Sequence, residues 1–308
     1  MSQLDVVTGV FSYTGRHIAE ALLARGRRVR ALTRRPPDPS HPLAGLVEAA
    51  APLAFDDSLV ESLSGADTLY NTYWVRFEHG VTTFDRAVRN TAQLFEAAKA
   101  AGVRRVVHVS VANPDESSPF PYFRGKAQTE AALRGTRLSY AIVRPTLVYG
   151  PEDILVNNIA WAVRHVPLFL LPGDGRYEVQ PVSVWDTARI CVEAGAREQD
   201  VTLDAAGPER WAFDDFVRLI ARTVGGRAWI RNAPRWVALA TGRAAGLGLR
   251  DVVATPDELD ALAAGLLVSR RPPLGRDQFA VWLADNGDVL GRTYASELAR
   301  NFRIQQAT

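Results

Sequence analysis

The sequence has little of what a disulfide-bonded or metal-binding protein needs. One cysteine, Cys191, occurs in 308 residues, which excludes a disulfide framework and a thiolate metal site. The five histidines are scattered without ligand-like spacing, so we expect no protein-bound metal. Basic and acidic side chains number 36 and 34. This balance argues against nucleic acid or an anionic membrane as the main partner, and favours a small-molecule substrate.

Long apolar runs are also missing. The most apolar late stretch, residues 159–171, is interrupted by Arg164, His165 and Pro167, and is too short and too polar to span a bilayer. No secretory signal precedes the first strand-like run, Leu4 to Thr8. We therefore expect a soluble, cytoplasmic protein with no membrane partner, either a monomer or a homodimer.

The first half of the chain alternates short β-branched runs with helical patterns. Strands are expected at residues 6–8, 29–33, 52–55, 68–72, 106–110 and 140–144, and helices at 15–25, 84–101 and from 126 to 133. Strands separated by helices pair in parallel through right-handed crossovers. The fold class expected is therefore α/β, a doubly wound parallel Rossmann sheet.

After Gly150 this alternation stops. Residues 179–184 and 201–205 still have strand character, whereas tryptophans, prolines and arginine-rich helical patterns dominate elsewhere. We expect a dinucleotide-binding domain at 1–150, with returning segments at about 177–206, and a smaller substrate lobe formed by 151–176 and 207–308.

The segment from Thr8 to Gly15 lies at a strand-to-helix turn. Such a turn places backbone N–H groups and the positive end of the helix dipole where a pyrophosphate can bind. Gly9 is expected to make the tight turn and Gly15 to let the helix approach the strand. The alternative is a tight turn that binds no ligand.

The second strand ends at Arg34 and Arg35. An NAD-selective site usually presents an acidic side chain there for the ribose hydroxyls, and none is present. The two arginines could instead pair with a 2′-phosphate, which favours NADP(H) over NAD(H). The alternative is that both are solvated surface arginines.

Ser110, Tyr122 and Lys126 form the strongest chemical pattern. Tyr122 and Lys126 have the spacing that places a phenol and an ammonium on one face of a helix. The cation favours the phenolate, so the tyrosine can shuttle a proton to or from a carbonyl oxygen that Ser110 holds. Only two lysines occur in the sequence, Lys99 and Lys126. Retention of an amine at position 126 supports a specific role, although a surface tyrosine and lysine remain the alternative.

These motifs together resemble the extended and atypical short-chain dehydrogenases/reductases. The turn from Thr8 to Gly15 is similar to that family's Thr-Gly-x-x-Gly-x-x-Gly, with Ser12 in place of the middle glycine, and Ser110 with Tyr122 and Lys126 resembles its catalytic triad. The segment 144–150 is similar to the family's Arg-Pro-x-x-Val-Tyr-Gly, and Asn90 to its backbone-steadying asparagine. Features near residues 272–294 resemble the NmrA-like and complex I 39-kDa-subunit-like branch.

The resemblance and the loop positions imply a set of cofactor-binding residues. They are Gly9, Phe11, Ser12, Tyr13, Thr14, Arg34, Arg35, Asp56, Asp57, Thr72, Tyr73, Lys126, Pro145, Thr146 and Val148. Expected substrate-lining residues are Trp74, Phe77, Tyr149, Asn158 and Trp161. The alternative for this aromatic set is packing of the lobe.

Three functions are therefore under consideration. The resemblance implies first an NAD(P)-dependent oxidoreductase that transfers a hydride between nicotinamide and a carbonyl or alcohol carbon, with Tyr122 as acid/base. The second is a sugar-nucleotide epimerase or dehydratase that retains NAD; the Val111-Ala112-Asn113 sequence after Ser110 disfavours it. The third is a non-catalytic NADP(H)-binding sensor or structural module, which Ser12 favours.

Overall fold

A computed structural model of the chain describes residues 3–34 and 39–302. The chain divides into two compact units. The first comprises Met1–Pro145 and Val184–Ala205, and the second comprises Thr146–Ser183 and Ala206–Thr308.

A seven-stranded sheet forms the centre of the first unit. Its strands are β1 (Leu4–Thr8), β2 (Arg28–Thr33), β3 (Glu48–Pro52), β4 (Thr68–Asn71), β5 (Arg105–Val109), β6 (Ser139–Pro145) and β11 (Val201–Ala205). Their order across the sheet is β11-β6-β5-β4-β1-β2-β3, and every neighbouring pair is parallel. Since the order reverses at β1, the carboxyl ends of β1 and β4 flank the crevice where such sheets bind ligands.

Helices cover both faces of this sheet. They are α1 (Tyr13–Leu23), α2 (Ser58–Leu63), α3 (Phe84–Ala100), α4 (Pro121–Gly135) and α6 (Val184–Gly195). Apolar side chains of α1 and α6 fill one core with one face of the strands, and those of α2, α3 and α4 fill the other. This is the doubly wound Rossmann fold that the alternation of strands and helices predicts, so that prediction is confirmed.

Local sequence explains where the longest of these helices begins and ends. The Thr83 side chain accepts a hydrogen bond from the Arg86 N–H at 3.2 Å, which caps the start of α3. Gly102 follows the helix with φ of +73°, a conformation that glycine adopts without steric cost. α3 is therefore held at both ends by residues that the sequence identifies.

The second unit contains three small two-stranded sheets with helices packed around them. The strand pairs are β7 (Leu147–Tyr149) with β10 (Pro181–Ser183), β8 (Leu168–Pro172) with β13 (Trp229–Ala233), and β9 (Glu178–Val179) with β12 (Trp211–Ala212). The helices are α5 (Ile154–His165), α7 (Phe213–Thr223), α8 (Arg235–Leu249), α9 (Pro256–Ala263), α10 (Phe279–Asn286) and α11 (Glu297–Asn301). Its core is aromatic and is centred on Tyr149, Phe216 and Phe279.

Two boundaries differ from the expected ones. The third strand is β3, Glu48–Pro52, rather than residues 52–55; its β2 partner ends at Thr33, which pairs with Pro52. The return to the large sheet begins with α6 at Val184 rather than at about 177, because β9 and β10 pair within the second unit. Short strand patterns do not reveal which sheet they join.

None of the helices formed by residues 3–34 and 39–302 has the length and apolar character required to cross a bilayer.

Candidate active site

The turn after β1 is tight and brings the start of α1 close to the strand. Gly9 adopts φ of +66°, and its N–H donates to the Leu32 carbonyl at 3.0 Å. A Cβ on Gly15 would lie 2.2 Å from the Gly9 carbonyl oxygen, so only glycine lets α1 approach the loop this closely. The Ser12 hydroxyl donates to that same carbonyl at 2.6 Å and does not cap α1. The Ser12 side chain therefore does not occupy the N–H groups in the first turn of α1.

Thr8 and Thr72 tie the ends of β1 and β4 together. The Thr8 hydroxyl oxygen accepts from the N–H of Thr72 at 2.7 Å and from that of Tyr73 at 3.1 Å. In return, the Thr72 hydroxyl donates to the Thr8 carbonyl at 2.6 Å. These bonds hold both strand ends at the crevice in a fixed register.

Tyr73 lies at the centre of a small cluster beside the end of β2. Its ring centroid lies 4.9 Å from that of Phe55, and the Arg34 guanidinium carbon lies 5.9 Å from its centroid. The Asn90 amide donates to the Tyr73 hydroxyl at 3.0 Å. Arg34 is thereby held at the carboxyl edge of the sheet with its side chain exposed, whereas Arg35 falls outside the described residues.

Asp56 and Asp57 stand at the start of α2. One Asp56 carboxylate oxygen accepts from the Ser58 N–H at 2.9 Å and from its hydroxyl at 2.5 Å. These bonds lower the pKa of Asp56, so the carboxylate is charged at neutral pH. Asp57 is the N-cap residue of α2, and its exposed side chain makes no capping bond.

Ser110 and Lys126 meet at the carboxyl end of β5. The Lys126 Nζ donates to the carbonyl of Val109, the residue before Ser110, at 2.9 Å. Ser110 and Lys126 are each only 3% exposed. The Ser110 Oγ has no hydrogen-bond partner among the residues that the structure describes. A buried hydroxyl without a partner costs free energy unless a ligand satisfies it, which suits a group that holds a substrate oxygen.

Trp74 brings Tyr122 and Lys126 into one aromatic environment. The Lys126 Nζ lies 4.6 Å from the Trp74 ring centroid, and the Tyr122 ring meets Trp74 edge-on with centroids 5.9 Å apart. Phe84 stacks on the other side of Trp74 at 6.1 Å. A Cβ on Gly125 would lie 2.9 Å from the indole, so this glycine makes the close approach of Trp74 to α4 possible.

Burial makes the Lys126 amine unusually acidic. Desolvation lowers its pKa to about 7, and the Glu130 carboxylate partly opposes that shift. Glu130 is buried and accepts from Arg144 at 2.8 and 2.6 Å and from Arg134 at 3.0 Å. The amine therefore gains or loses its charge near neutral pH, the range in which a neighbouring phenol would exchange a proton.

A buried hydrogen-bond chain connects the end of β1 to α4. The Thr8 hydroxyl donates to the Asn71 oxygen at 3.2 Å, and the Asn71 amide donates to His108 Nδ1 at 3.1 Å. His108 Nε2 then donates to the Thr129 hydroxyl at 3.0 Å, and Thr129 donates to the Lys126 carbonyl at 2.8 Å. Burial, and then the Lys126 charge, hold the pKa of His108 well below its usual range, so the ring is neutral, with Nε2 as its donor.

Most residues of this hydrogen-bond network could not be predicted from the sequence. Asn71, Thr129 and Glu130 carry no motif, and their roles depend on which strands and helix turns lie side by side. Both ring nitrogens of His108 are bonded within the core, which indicates a structural role for this side chain.

Several expected ligand contacts serve the protein interior instead. Phe77 is buried beneath the Arg76 side chain. Tyr149 is fully buried between Phe279 and Trp282 in the core of the second unit. This burial corrects the expectation that Phe77 and Tyr149 line an open pocket.

The other expected residues of the second unit are also engaged within it. The Asn158 amide bonds to both the N–H and the carbonyl of Ala295 at 2.9 Å, so its hydrogen-bonding groups fix a loop. The Thr146 hydroxyl donates to the Gln180 carbonyl at 2.5 Å. Val148 pairs with Val182 between β7 and β10. The Trp161 ring is half-buried and stacks on His165 at 5.1 Å. Pro145 ends β6 in the first unit, where its carbonyl accepts from Ala112 at 2.9 Å.

Comparisons with known proteins find relatives that bind nicotinamide cofactors. A family model described as NAD(P)H-binding matches residues 11–159. The mitochondrial NADH dehydrogenase (ubiquinone) 1 alpha subcomplex subunit 9 of Arabidopsis thaliana is 27% identical, over 76% of this chain and 59% of its own length. These similarities support the resemblance to the extended short-chain dehydrogenases/reductases.

Two further similar proteins extend the comparison. A Stigmatella aurantiaca protein, 4-hydroxy-2-methyl-3-oxo-4-farnesyl-3,4-dihydroquinoline-1-oxide ketoreductase, is 29% identical over 74% of this chain and 75% of its own length. The triphenylmethane reductase of Citrobacter sp., solved with NADP(H), superposes with a TM-score of 0.74 over 92% of this chain and 99% of that chain. At 17% identity, this second likeness shows the fold alone.

Replacing Lys126 by methionine is expected to change the pH dependence of stability. The pKa of Lys126 is about 7 in the folded protein and the ordinary 10.5 in the unfolded chain. Between these two pH values the unfolded chain binds more protons than the folded protein, so the stability of the parent rises with pH. Methionine removes this titration. The free energy of unfolding of Lys126→Met minus that of the parent should therefore fall by about 2 kcal/mol between pH 7 and 9, measured by denaturant unfolding.

Lys99→Met is the matched control, since Lys99 is the other lysine and is exposed on α3. Its difference from the parent should stay constant across the same pH range. Parallel pH curves for the parent and Lys126→Met would contradict the buried, acidic amine.

Proposed function

We propose that this protein is an NAD(P)-dependent oxidoreductase that moves a hydride between nicotinamide and the carbonyl or alcohol carbon of a small apolar substrate. The observation that supports this most strongly is the unpartnered, buried Ser110 hydroxyl beside a lysine that is held at the Val109 carbonyl. Tyr122 precedes that lysine by one turn of α4. The phenol can supply the proton that carbonyl reduction needs, and the hydroxyl can donate a hydrogen bond to the carbonyl oxygen.

Each residue has a distinct role in this proposal. Tyr122 donates its hydroxyl proton to the carbonyl oxygen in the reductive direction and takes it back in the oxidative direction. Lys126 supplies the positive charge that favours the phenolate, and Ser110 donates a hydrogen bond to the same substrate oxygen. The bound nicotinamide supplies the hydride donor or acceptor.

The described residues suit a dinucleotide. Gly9, Phe11, Ser12, Tyr13 and Thr14 would hold the pyrophosphate at the N-terminus of α1. Asp56 and Asp57 would lie at the adenine, Arg34 at its ribose, and Thr72 and Tyr73 below the centre of the cofactor. Lys126 has a further N–H for a ribose hydroxyl.

We also propose that NADP(H) is preferred, because Arg34 is exposed at the end of β2 and no acidic residue follows that strand directly. Replacing Arg34 by alanine should weaken NADPH binding by about 10- to 100-fold, the value of one charge-assisted hydrogen bond. NADH binding should change by less than about 2-fold. Calorimetric titration of both cofactors measures this.

Arg25→Ala is the control for that experiment, since Arg25 is also exposed but precedes β2, at the opposite edge of the sheet. It should bind both cofactors as the parent does. Equal losses of NADPH and NADH binding in Arg34→Ala would contradict a 2′-phosphate contact.

An apolar substrate is proposed from the surroundings of Tyr122. Trp74, Phe84 and Phe123 all contact its ring edge-on, so a substrate that reaches the phenol would meet aromatic surface. The Stigmatella ketoreductase acts, by its name, on a farnesylated quinoline ketone, which supports a ketone with a large apolar body.

The test is reduction of a panel of ketones by NADPH, with the alcohol product quantified by chromatography. Aromatic and isoprenoid ketones should be reduced at a kcat/KM at least about 100-fold above that of charged keto acids of similar reactivity. Burial of their apolar surface against the aromatic side chains contributes a few kcal/mol to binding. Cofactor binding without reduction of any ketone would contradict the proposed function.

A further inference from the structure

Helix α8 of the second unit is apolar almost all round, yet most of its residues are exposed. Twelve of its 15 residues are alanine, glycine, leucine, valine or tryptophan, and the other three are Arg235, Thr241 and Arg243. A helix of this composition is normally buried. Here Gly246 is its only buried residue, and a Cβ there would lie 2.6 Å from the Asp251 carbonyl oxygen.

The outward face of α8 is formed by Trp236, Ala240, Arg243, Ala244 and Leu247, which we call the α8 apolar face. These positions follow the i, i+4, i+7, i+8, i+11 spacing of one helix face, and all five are exposed. Trp236 is 72% and Leu247 83% exposed. A folded protein seldom leaves such a continuous apolar face uncovered unless it binds something.

The sequence segment that contains this face is basic. Residues 216–250 contain seven arginines and no acidic residue, which leaves 29 basic against 34 acidic side chains in the remainder of the chain. The small net charge of the whole protein therefore conceals a basic segment. Arg227, Arg231, Arg243 and Arg250 are exposed, and none of them forms an ion pair with a described residue. Positive charge beside tryptophan and leucine complements an anionic lipid surface.

An open cleft of about 650 Å³ adjoins the face. Gly242, Arg243, Gly246 and Leu247 line one side, and residues 250–256 line the other. The acidic group in its wall, Asp251, already accepts from the Tyr294 hydroxyl at 2.8 Å and from two backbone N–H groups at 2.9 and 3.0 Å. That carboxylate is engaged by neutral donors within the protein and forms no ion pair with Arg243 or Arg250, so both guanidinium groups stay available at the cleft.

We propose that the α8 apolar face docks this protein on the surface of an anionic phospholipid bilayer. Trp236 and Leu247 enter the boundary between headgroups and acyl chains, and Arg243 and Arg250 bind headgroup phosphates. A second copy of the chain fits less well, because a two-fold interface through this face would set the same arginines against each other. Docking of this kind requires no membrane-spanning helix.

Co-sedimentation of the full chain with vesicles tests the proposal. The parent should bind vesicles of equal phosphatidylglycerol and phosphatidylcholine at least about 10-fold more strongly than pure phosphatidylcholine, and high salt should remove this preference. Trp236→Ser/Leu247→Ser should lose about 10-fold or more of the binding. Arg243→Gln/Arg250→Gln should lose about 10- to 30-fold of the preference for the anionic vesicles.

Val281→Ser/Val289→Ser is the matched control, since these valines are also exposed apolar residues of the second unit, at 56% and 64%. It should bind as the parent does. Unchanged circular dichroism and melting temperature show that each variant is folded. Failure of the parent to bind anionic vesicles would overturn the proposal. If the parent is a dimer that does not bind vesicles, and Trp236→Ser/Leu247→Ser converts it to a monomer, the α8 apolar face is instead an interface between two copies of the chain.

Discussion

Tyr122→Phe is expected to lower kcat for ketone reduction by about 100- to 10,000-fold, the usual contribution of a positioned acid/base. The phenyl ring keeps the edge-on contacts with Trp74, Phe84 and Phe123, so the packing around α4 should persist. NADPH affinity should therefore stay within about 2-fold of the parent. Steady-state kinetics and cofactor titration on the same preparations measure the two quantities separately.

Tyr140→Phe is the control, because Tyr140 is at the start of β6, at the opposite edge of the sheet from Ser110. It should retain parental turnover. A Tyr122→Phe enzyme that reduces its substrate at the parental rate would contradict the assignment of Tyr122 as acid/base. Loss of NADPH binding together with turnover would instead indicate a structural role for the hydroxyl.

Glu130→Ala is expected to produce the largest loss of stability. The buried Glu130 carboxylate accepts two bonds from Arg144 and one from Arg134. Removing one partner of a buried ion pair leaves the other charge uncompensated and typically costs about 3–5 kcal/mol. Thermal unfolding should show a fall of about 6–20 °C in Tm for a domain of this size.

Two further variants separate the buried pair from surface charge. Glu96→Ala removes an exposed carboxylate from α3 and should change the free energy of unfolding by less than about 0.5 kcal/mol. Arg134→Ala should cost about 1 kcal/mol at most, because Arg134 is the more exposed partner of Glu130. A Glu130→Ala protein as stable as Glu96→Ala would show that the Arg144 contact contributes nothing.

Local patterns were sufficient for the first unit's architecture. Alternating strands and helices predict a parallel sheet, and the glycines at 9 and 15 mark the turn at which β1 meets α1. Both are properties of neighbouring residues, so the sequence displays them directly. The same holds for Tyr122 and Lys126, whose spacing places them on one helix face.

Features that depend on tertiary contacts could not be predicted in this way. Trp74 is separated from Lys126 by about fifty residues of sequence, and only the folded structure shows that the indole lies 4.6 Å from the amine. The chain through Asn71, His108 and Thr129 likewise follows strand order rather than any motif. Tyr149 and Asn158 were expected at a pocket because aromatic and amide side chains suit both ligand binding and packing. Only their burial and hydrogen bonds distinguish the two uses.

Transfer of deuterium from C4-deuterated NADPH to a ketone tests the central claim most directly. If the protein is an oxidoreductase, the alcohol formed from an apolar ketone should carry deuterium on its carbinol carbon, detected by mass spectrometry. Tyr122→Phe should form this product at least about 100-fold more slowly. Binding of NADPH without formation of any deuterated alcohol would contradict the account. So would a protein that retains NAD and epimerises a sugar nucleotide without net transfer of hydride to the product.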